Sequence, residues 1–185
     1  TMTSHNNSYP KAGSINCRGE LIDLDTPRVM GIINTTPNSF YSQSRLQEQD
    51  AILRQVEQFL SEGATFIDIG GHSTKPGADW VPEDEELDRT VPVIEAIVQR
   101  FPEARVSIDT FRSRVAQQCV EAGAALVNDV SGGNLDEQMF ETVARLQVPY
   151  ILMHMQGTPK TMQQNPTYED VTREIIQELS AKIED

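Results

Sequence analysis

The sequence has few cysteines, few histidines and a single tryptophan. Cys17 and Cys119 are its two cysteines among 185 residues, and three histidines accompany them. No Cys-x-x-Cys pair is present, so a disulfide framework is a poor interpretation. Two isolated cysteines are typical of a protein in a reducing compartment, and we expect a cytoplasmic location.

Basic residues and long apolar runs are also scarce. Lys and Arg number 15 against 28 Asp and Glu, which gives a formal charge of −13. Nucleic acids and anionic membranes bind basic surfaces, so we expect neither as a partner. No apolar run approaches the roughly 20 residues that cross a bilayer. Residues 1–14 lack the pattern of a secretion signal, and we expect a flexible leader there and one domain over residues 15–185.

Two common nucleotide-binding motifs, GxGxxG and GxxxxGK[ST], are absent. The sequence has instead five short apolar runs, each followed by a polar segment and then by a helical pattern. The runs are Val29–Ile33, Phe66–Ile69, Val106–Ile108, Ala125–Val127 and Tyr150–Met153. Strands that alternate with helices predict right-handed β/α units and a parallel sheet. The periodicity leaves open whether this sheet is doubly wound or part of a (β/α)₈ barrel.

Apolar residues at helical spacing mark the intervening helices. Gly63 and Gly123 are predicted to end the first and third of them, and Pro92 predicts a kink or a new start in the second. Ahead of the first strand, apolar residues on both sides of Arg18 and Gly19 predict a small hairpin. We expect this hairpin to close the bottom of a barrel, if a barrel is formed.

Polar residues follow every predicted strand, at the end where α/β enzymes place their sites. The segments are NTTPNSF at 34–40, DIGGHSTKPG at 68–77, DT at 109–110, NDVSGG at 128–133 and MHMQGTP at 153–159. One such segment alone would suggest a helix cap, but five in succession would converge on one pocket. Amide and carboxylate groups in that pocket suit a flat heterocycle with several hydrogen-bond donors and acceptors.

In order and spacing, these segments resemble the dihydropteroate synthases, from roughly Ile15 to the C-terminus. The resemblance implies a (β/α)₈ barrel, of which this sequence would form about five units behind its hairpin and would lack the last three. It implies a transferase of folate biosynthesis that condenses 6-hydroxymethyl-7,8-dihydropterin diphosphate with p-aminobenzoate. It also implies assistance by Mg²⁺, a homodimer when the protein is full length, and a family that sulfonamides target.

The resemblance assigns roles to individual residues. Asn34 matches the asparagine that contacts Mg²⁺ and diphosphate. Asp109 matches the aspartate under the pterin, where a carboxylate accepts pterin N–H groups and favours a developing cation. Asn128 matches the asparagine that pairs with the pterin edge, and Met153 is expected to pack against the pterin ring.

Thr74 and Lys75 match the Thr-Arg pair that closes over p-aminobenzoate and diphosphate in the family. Lysine keeps the positive charge but lacks the fork with which arginine binds phosphate, and a solvated loop lysine is the alternative interpretation. The expected catalytic residues are Asn34, Lys75 and Asp109, and the expected substrate-binding residues are Thr74, Lys75, Asp109, Asn128 and Met153.

Four further polar residues are expected to have structural roles or none. Asp68 ends a buried strand and is expected to support the site from below. Asp129 is expected to cap or support the glycines that follow it. His154 is expected to be a packed, hydrogen-bonded histidine, and His72 to be incidental in a flexible loop.

The resemblance is incomplete in the first loop. Asn38 and Ser42 replace two acidic residues of the family near the expected Mg²⁺ site, and Gln43 and Ser44 replace two glycines. Two alternatives therefore stay open. One is a non-catalytic or diverged pterin-binding paralogue, and the other, with less support, is a protein like the methyltetrahydrofolate–corrinoid methyltransferases.

Overall fold

The computed structural model describes residues 13–35, 42–72 and 80–184, and forms seven strands and five helices within these ranges. The strands are β1 Ser14–Cys17, β2 Glu20–Asp23, β3 Met30–Asn34, β4 Phe66–Gly70, β5 Arg105–Asp109, β6 Leu126–Asp129 and β7 Tyr150–Leu152. The helices are α1 Ser42–Ser61, α2 Glu83–Arg100, α3 Ser113–Glu121, α4 Met139–Leu146 and α5 Val171–Glu184. Every strand predicted from the sequence is confirmed, as is the hairpin.

The five strands β3 to β7 form one parallel sheet in which the strands follow their order along the chain. A doubly wound sheet reverses its strand order at a switch point, whereas a (β/α) barrel adds each strand beside the previous one. The strand order therefore excludes the doubly wound alternative. The sheet is a partial barrel of five consecutive β/α units, as the resemblance implied.

One face of the sheet packs against the helices to form the main core. The strands contribute Ile33, Ile67, Ile69, Val106, Ile108 and Val127, and the helices contribute Val56, Ile94, Ile97, Val115, Cys119, Met139 and Val143. Burial of one aliphatic side chain of this size is worth about 1.5–3 kcal/mol, so this face stabilises the fold. Because successive side chains of a strand alternate, the residues between these strand positions lie on the opposite face.

The helix ends confirm two of the three signals in the sequence. Gly63 and Gly123 follow α1 and α3 with φ of +98° and +124°, a conformation that glycine adopts without the steric cost of a Cβ. Of the two outcomes predicted at Pro92, a new start is wrong, because α2 runs unbroken through this residue, and a kink stays a prediction. Pro92 lies on the exposed side of α2, where water reaches the carbonyl that a proline leaves without an N–H partner.

The hairpin of β1 and β2 packs under the sheet. Its Cys17 and Ile22 share a second, smaller core with Phe66 and Leu126, which are the first residues of β4 and β6. The hairpin therefore covers the N-terminal ends of the strands, as expected, and leaves their C-terminal ends open. No helix among the described residues has the length and apolar character needed to span a membrane.

Candidate active site

The strand register brings three of the expected site residues to one level. Asn34 pairs with Gly70, Gly70 with Asp109, and Asp109 with Asn128. Partners in a parallel ladder direct their side chains to the same face of the sheet. Asn34, Asp109 and Asn128 therefore form one row at the C-terminal ends of β3, β5 and β6, on the face opposite the helices.

Gly70 leaves a small space between two of these residues. A Cβ atom built on Gly70 would lie 3.4 Å from Oδ1 of Asn34 and 3.5 Å from Oδ2 of Asp109. The two oxygen atoms thus border the same space, with no side chain from β4 between them. A ligand or an ion in this space would meet one amide oxygen and one carboxylate oxygen.

Asp68 supports the row from one step lower in the sheet. It lies two residues before Gly70 on β4 and is buried. Its Oδ2 accepts a hydrogen bond from Nδ2 of Asn128 at 3.1 Å. This contact reaches across β5 and fixes the orientation of the Asn128 amide, so Asp68 occupies the supporting position that the sequence suggested.

Asp109 lies in surroundings that oppose its ionisation. Burial raises the pKa of Asp109, and the negative charges of Asp68, Glu86 and Asp129 raise it further, to about 7. A carboxyl group that titrates near neutral pH can either donate or accept a hydrogen bond. Carboxyl groups with raised pKa values are concentrated at functional sites, which makes Asp109 the central candidate of the row.

Asp129 holds the turn after β6. Its Oδ1 accepts hydrogen bonds from N–H and Oγ of Ser131 at 2.8 and 2.7 Å. Its Oδ2 accepts hydrogen bonds from N–H of Gly133 at 3.0 Å and from the hydroxyl of Tyr150 at 2.7 Å. The carboxylate is fully used within the protein, so the predicted structural role of Asp129 is confirmed.

The residues after β7 include His154 and Met153. Both ring nitrogens of His154 are hydrogen-bonded, Nδ1 to the carboxylate of Glu178 and Nε2 to the hydroxyl of Tyr168 at 2.9 Å. The prediction of a packed, hydrogen-bonded histidine is confirmed. Met153 is 37% exposed, so its side chain is accessible to a ligand, and its contact with a pterin ring stays a prediction.

The expectation that His72 is incidental in a flexible loop is wrong. His72 is buried, and its ring makes edge contacts with the rings of Trp80 and Phe111, with centroid separations of 5.2 and 5.1 Å. Phe111 is far from His72 and Trp80 in sequence, and the three rings meet because the segment after β4, the residues before α2 and the turn after β5 are neighbours. The single tryptophan of the chain was the one local signal for this cluster.

Sequence reasoning missed a buried ion pair beside the site. Glu86 has no exposed surface, Arg112 is also buried, and their side chains form a salt bridge. Arg112 also donates a hydrogen bond to the carbonyl of Val81 at 2.6 Å. Burial raises the pKa of Glu86. The sequence signal for the burial of Glu86 was its helical spacing with Thr90 and Ile94, which lie on the buried face of α2.

Several predictions concern residues without a described side chain. Thr74, Lys75 and Asn38 lie outside the described residues, and Ser42 is known only as the first residue of α1. Their proposed roles stay predictions.

The described residues fit Mg²⁺ only as an ion shared with a substrate. They contain no group of three or more His, Cys, Asp or Glu side chains that could hold a metal. Mg²⁺ is commonly bound by one or two protein oxygens together with substrate phosphates and water. The amide oxygen of Asn34, which borders the open space above Gly70, fits that kind of binding.

These features define a class of protein, a partial α/β barrel whose polar site residues lie at the C-terminal ends of its parallel strands. The sequence matches the family described as pterin binding enzyme over residues 30–185. The chain belongs to this family.

Individual relatives are similar over most of this chain. Dihydropteroate synthase of Haemophilus influenzae is 44% identical over 155 residues, which cover 84% of this chain and 56% of that protein. The crystal structure of Yersinia pestis dihydropteroate synthase with a sulfonamide drug has a TM-score of 0.82 and 43% identity, covering 92% of this chain and 61% of that one. Xanthomonas albilineans dihydropteroate synthase with 4-aminobenzoic acid has a TM-score of 0.80 and 40% identity, covering 93% and 60%. The chain thus spans less than two thirds of the length of each.

Proposed function

We propose that this chain is the pterin-holding part of a dihydropteroate synthase. In that reaction, 6-hydroxymethyl-7,8-dihydropterin diphosphate and p-aminobenzoate give 7,8-dihydropteroate and diphosphate. The observation that carries the proposal is the row of Asn34, Asp109 and Asn128 at the C-terminal ends of neighbouring strands. The similarity to synthases of the same family supports it.

The row can hold a pterin and respond to the charge that develops on it. The Asn128 amide offers a donor and an acceptor to the edge of the heterocycle, and the Asp109 carboxylate accepts pterin N–H groups. As the C–O bond to diphosphate breaks, positive charge develops on the pterin, and ionised Asp109 stabilises it. The amine nitrogen of p-aminobenzoate then forms the new C–N bond and loses a proton.

The remaining residues are proposed to act on the leaving group and the second substrate. Asn34 would hold Mg²⁺, which supplies positive charge to the departing diphosphate when it is bound. Thr74 and Lys75 would bind p-aminobenzoate and diphosphate, and Met153 would pack against the pterin ring. The relatives described with 4-aminobenzoic acid and with a sulfonamide support a pocket of this kind, which sulfonamides would share.

The test separates pterin binding from turnover. Titration calorimetry with 6-hydroxymethylpterin measures binding by the 185-residue chain, and chromatography of dihydropteroate measures turnover with and without Mg²⁺. We expect binding that Asp109→Ala abolishes, without robust turnover, because the chain spans 56% of the Haemophilus synthase. Absence of binding would contradict the assignment, and robust turnover would contradict the need for further β/α units. Binding without turnover in a form as long as its relatives would favour a diverged paralogue.

We also propose that the protein is cytoplasmic, that it forms a homodimer when full length, and that its substrates are small molecules only. Cys17 and Cys119 are buried and free, which supports a reducing compartment. The net charge of −13 disfavours nucleic acid as a partner. Light scattering after size-exclusion chromatography tests the dimer, and a monomeric full-length protein would contradict it.

A further inference from the structure

Arg112 lies where three segments meet: the residues before α2, α2 itself and the turn after β5. Its guanidinium pairs with the carboxylate of Glu86 on α2 and donates to the carbonyl of Val81 at 2.6 Å. Its Cζ atom also lies 5.0 Å from the ring centroids of both Trp80 and Phe111. We call Arg112, Glu86, Trp80 and Phe111 the Arg112 cluster.

The Arg112 cluster is joined to Asp109 by a turn of three residues. Thr110 donates its N–H to the carbonyl of Asn128 at 3.0 Å, and its Oγ1 accepts the N–H of Arg112 at 3.1 Å. Phe111, between them, is buried. Residues 110–112 are all the residues between the end of β5 and the start of α3, and each of them is held by one of these contacts or by burial. A displacement of Arg112 would therefore be passed to Asp109.

Fold stability alone does not account for the Arg112–Glu86 pair. Two buried ions lose most of their mutual attraction to desolvation, and apolar residues of similar volume often serve equally well. The helices α2 and α3 are also joined at the surface by Arg114 of α3, which contacts Glu83 and Asp84 of α2 at 2.8 and 2.7 Å. A buried pair at this position is better explained by a requirement for one defined geometry.

Glu86 also contributes to the electrostatic surroundings of Asp109. The pKa of Asp109 is raised by burial and by the charges of Asp68 on β4, Glu86 on α2 and Asp129 on β6. Arg112 is the cation paired with Glu86. Removal of Arg112 would therefore leave Glu86, whose pKa burial already raises, without its cation close to Asp109.

We propose that Arg112 is a positioning residue for pterin binding, which acts on Asp109 through the turn at residues 110–112. This inference rests on the proposed function, and Arg112 itself is not assigned any contact with substrate. The guanidinium is required because its planar fork reaches two acceptors while its faces lie against two aromatic rings. A lysine would keep the charge and lose this geometry.

The experiment measures the affinity for 6-hydroxymethylpterin as a function of pH on both sides of the Asp109 pKa of about 7. The variants are Arg112→Lys, Arg112→Met and Glu86→Gln, and the matched control is Arg114→Met. Arg114 joins α3 to α2, and its side chain is 53% exposed. Circular dichroism and urea titration establish that each variant is folded.

The expected results differ in kind between the variants. Arg112→Lys weakens pterin binding by about tenfold, because a misaligned Asp109 loses about the worth of one charge-assisted hydrogen bond to the pterin, while the midpoint of its pH profile stays near that of the wild type. Arg112→Met weakens binding at least as much, and Glu86→Gln lowers the midpoint because one negative charge is gone. Arg114→Met changes the affinity by less than about twofold, as expected for an exposed ion pair.

The outcomes separate the two proposals. A wild-type chain that binds no pterin overturns the proposed function and this inference with it. If the wild type binds and Arg112→Lys binds equally well, only the positioning role is overturned. Should Arg112→Met fail to fold, the double variant Arg112→Met/Glu86→Gln removes both charges of the pair; we expect weaker binding, and unchanged binding would overturn the inference. A midpoint in Glu86→Gln that is not below that of the wild type would also overturn it.

Discussion

Asp109 combines a central position in the site with surroundings that resist its ionisation. Its pKa rises from an ordinary value of 3.8 to about 7, chiefly through burial. Because the folded chain favours the protonated form, Asp109 makes its full contribution to stability when the pH is below its ordinary pKa of 3.8. That contribution is lost as the pH rises through about 7. The ionised carboxylate that the proposed reaction requires is therefore held at a cost to stability.

The variant Asp109→Asn should bind pterin less tightly and should be more stable than the wild type. We expect the variant to lose pterin affinity and to gain roughly 4 kcal/mol in the free energy of unfolding above neutral pH, since the pKa rises from 3.8 to about 7 and one pKa unit corresponds to about 1.4 kcal/mol. Below the ordinary pKa of 3.8, the two proteins should be equally stable. Urea titrations at both pH values test this, and a variant that is no more stable than the wild type at high pH would contradict it.

Asn34 and Asn128 allow the proposed Mg²⁺ contact to be separated from the pterin contact. In the wild type we expect Mg²⁺ to strengthen the binding of pterin diphosphate roughly tenfold, about the worth of one charge-assisted hydrogen bond, and we expect Asn34→Ala to lose this effect. Its affinity for 6-hydroxymethylpterin, which lacks diphosphate, should be unchanged. Asn128→Ala should weaken the binding of both compounds and keep the response to Mg²⁺. Calorimetry with Mg²⁺ and with a chelator distinguishes these patterns, and a normal Mg²⁺ response in Asn34→Ala would contradict the assignment.

At the scale of elements, the sequence predicts those features that a local pattern of residues determines. The five strands follow from short apolar runs, and the row of Asn34, Asp109 and Asn128 follows because each residue comes directly after one of those runs. The Arg112–Glu86 pair and the burial of His72 could not be predicted in this way. Both depend on how α2 packs beside the turn after β5, and residues far apart in sequence leave no local pattern for such a contact.

The turn after β6 depends on one buried carboxylate. Asp129→Ala leaves the N–H groups of Ser131 and Gly133 and the hydroxyl of Tyr150 without their acceptor. Since each unsatisfied buried donor costs about 1–3 kcal/mol, we expect a loss of about 3 kcal/mol or more in unfolding free energy. Tyr150→Phe removes a single bond and should cost about 1 kcal/mol. Urea titration compares the two, and equal losses would argue against a turn organised by Asp129.

At the scale of the whole molecule, the face of the sheet that carries the site is open at both edges. Ile32 on β3 is 61% exposed and Ile151 on β7 is 38% exposed. Both lie on the same face as the site row and on the outermost strands of the described sheet. In a (β/α) barrel this face is turned inward and filled with side chains. The helix α5 is similarly uncovered, since it has no buried residue.

The double variant Ile32→Ser/Ile151→Ser tests whether this face is a barrel interior. In the 185-residue chain we expect less binding of an apolar dye and little change in urea stability, because both residues are already exposed. Ile33→Ser, on the buried face, should cost about 2–5 kcal/mol in the same chain. In a form as long as the Haemophilus relative, the double variant should become destabilising by a similar amount, because further strands would cover both residues. A longer form that tolerates the double variant would show that this face is not enclosed in a barrel.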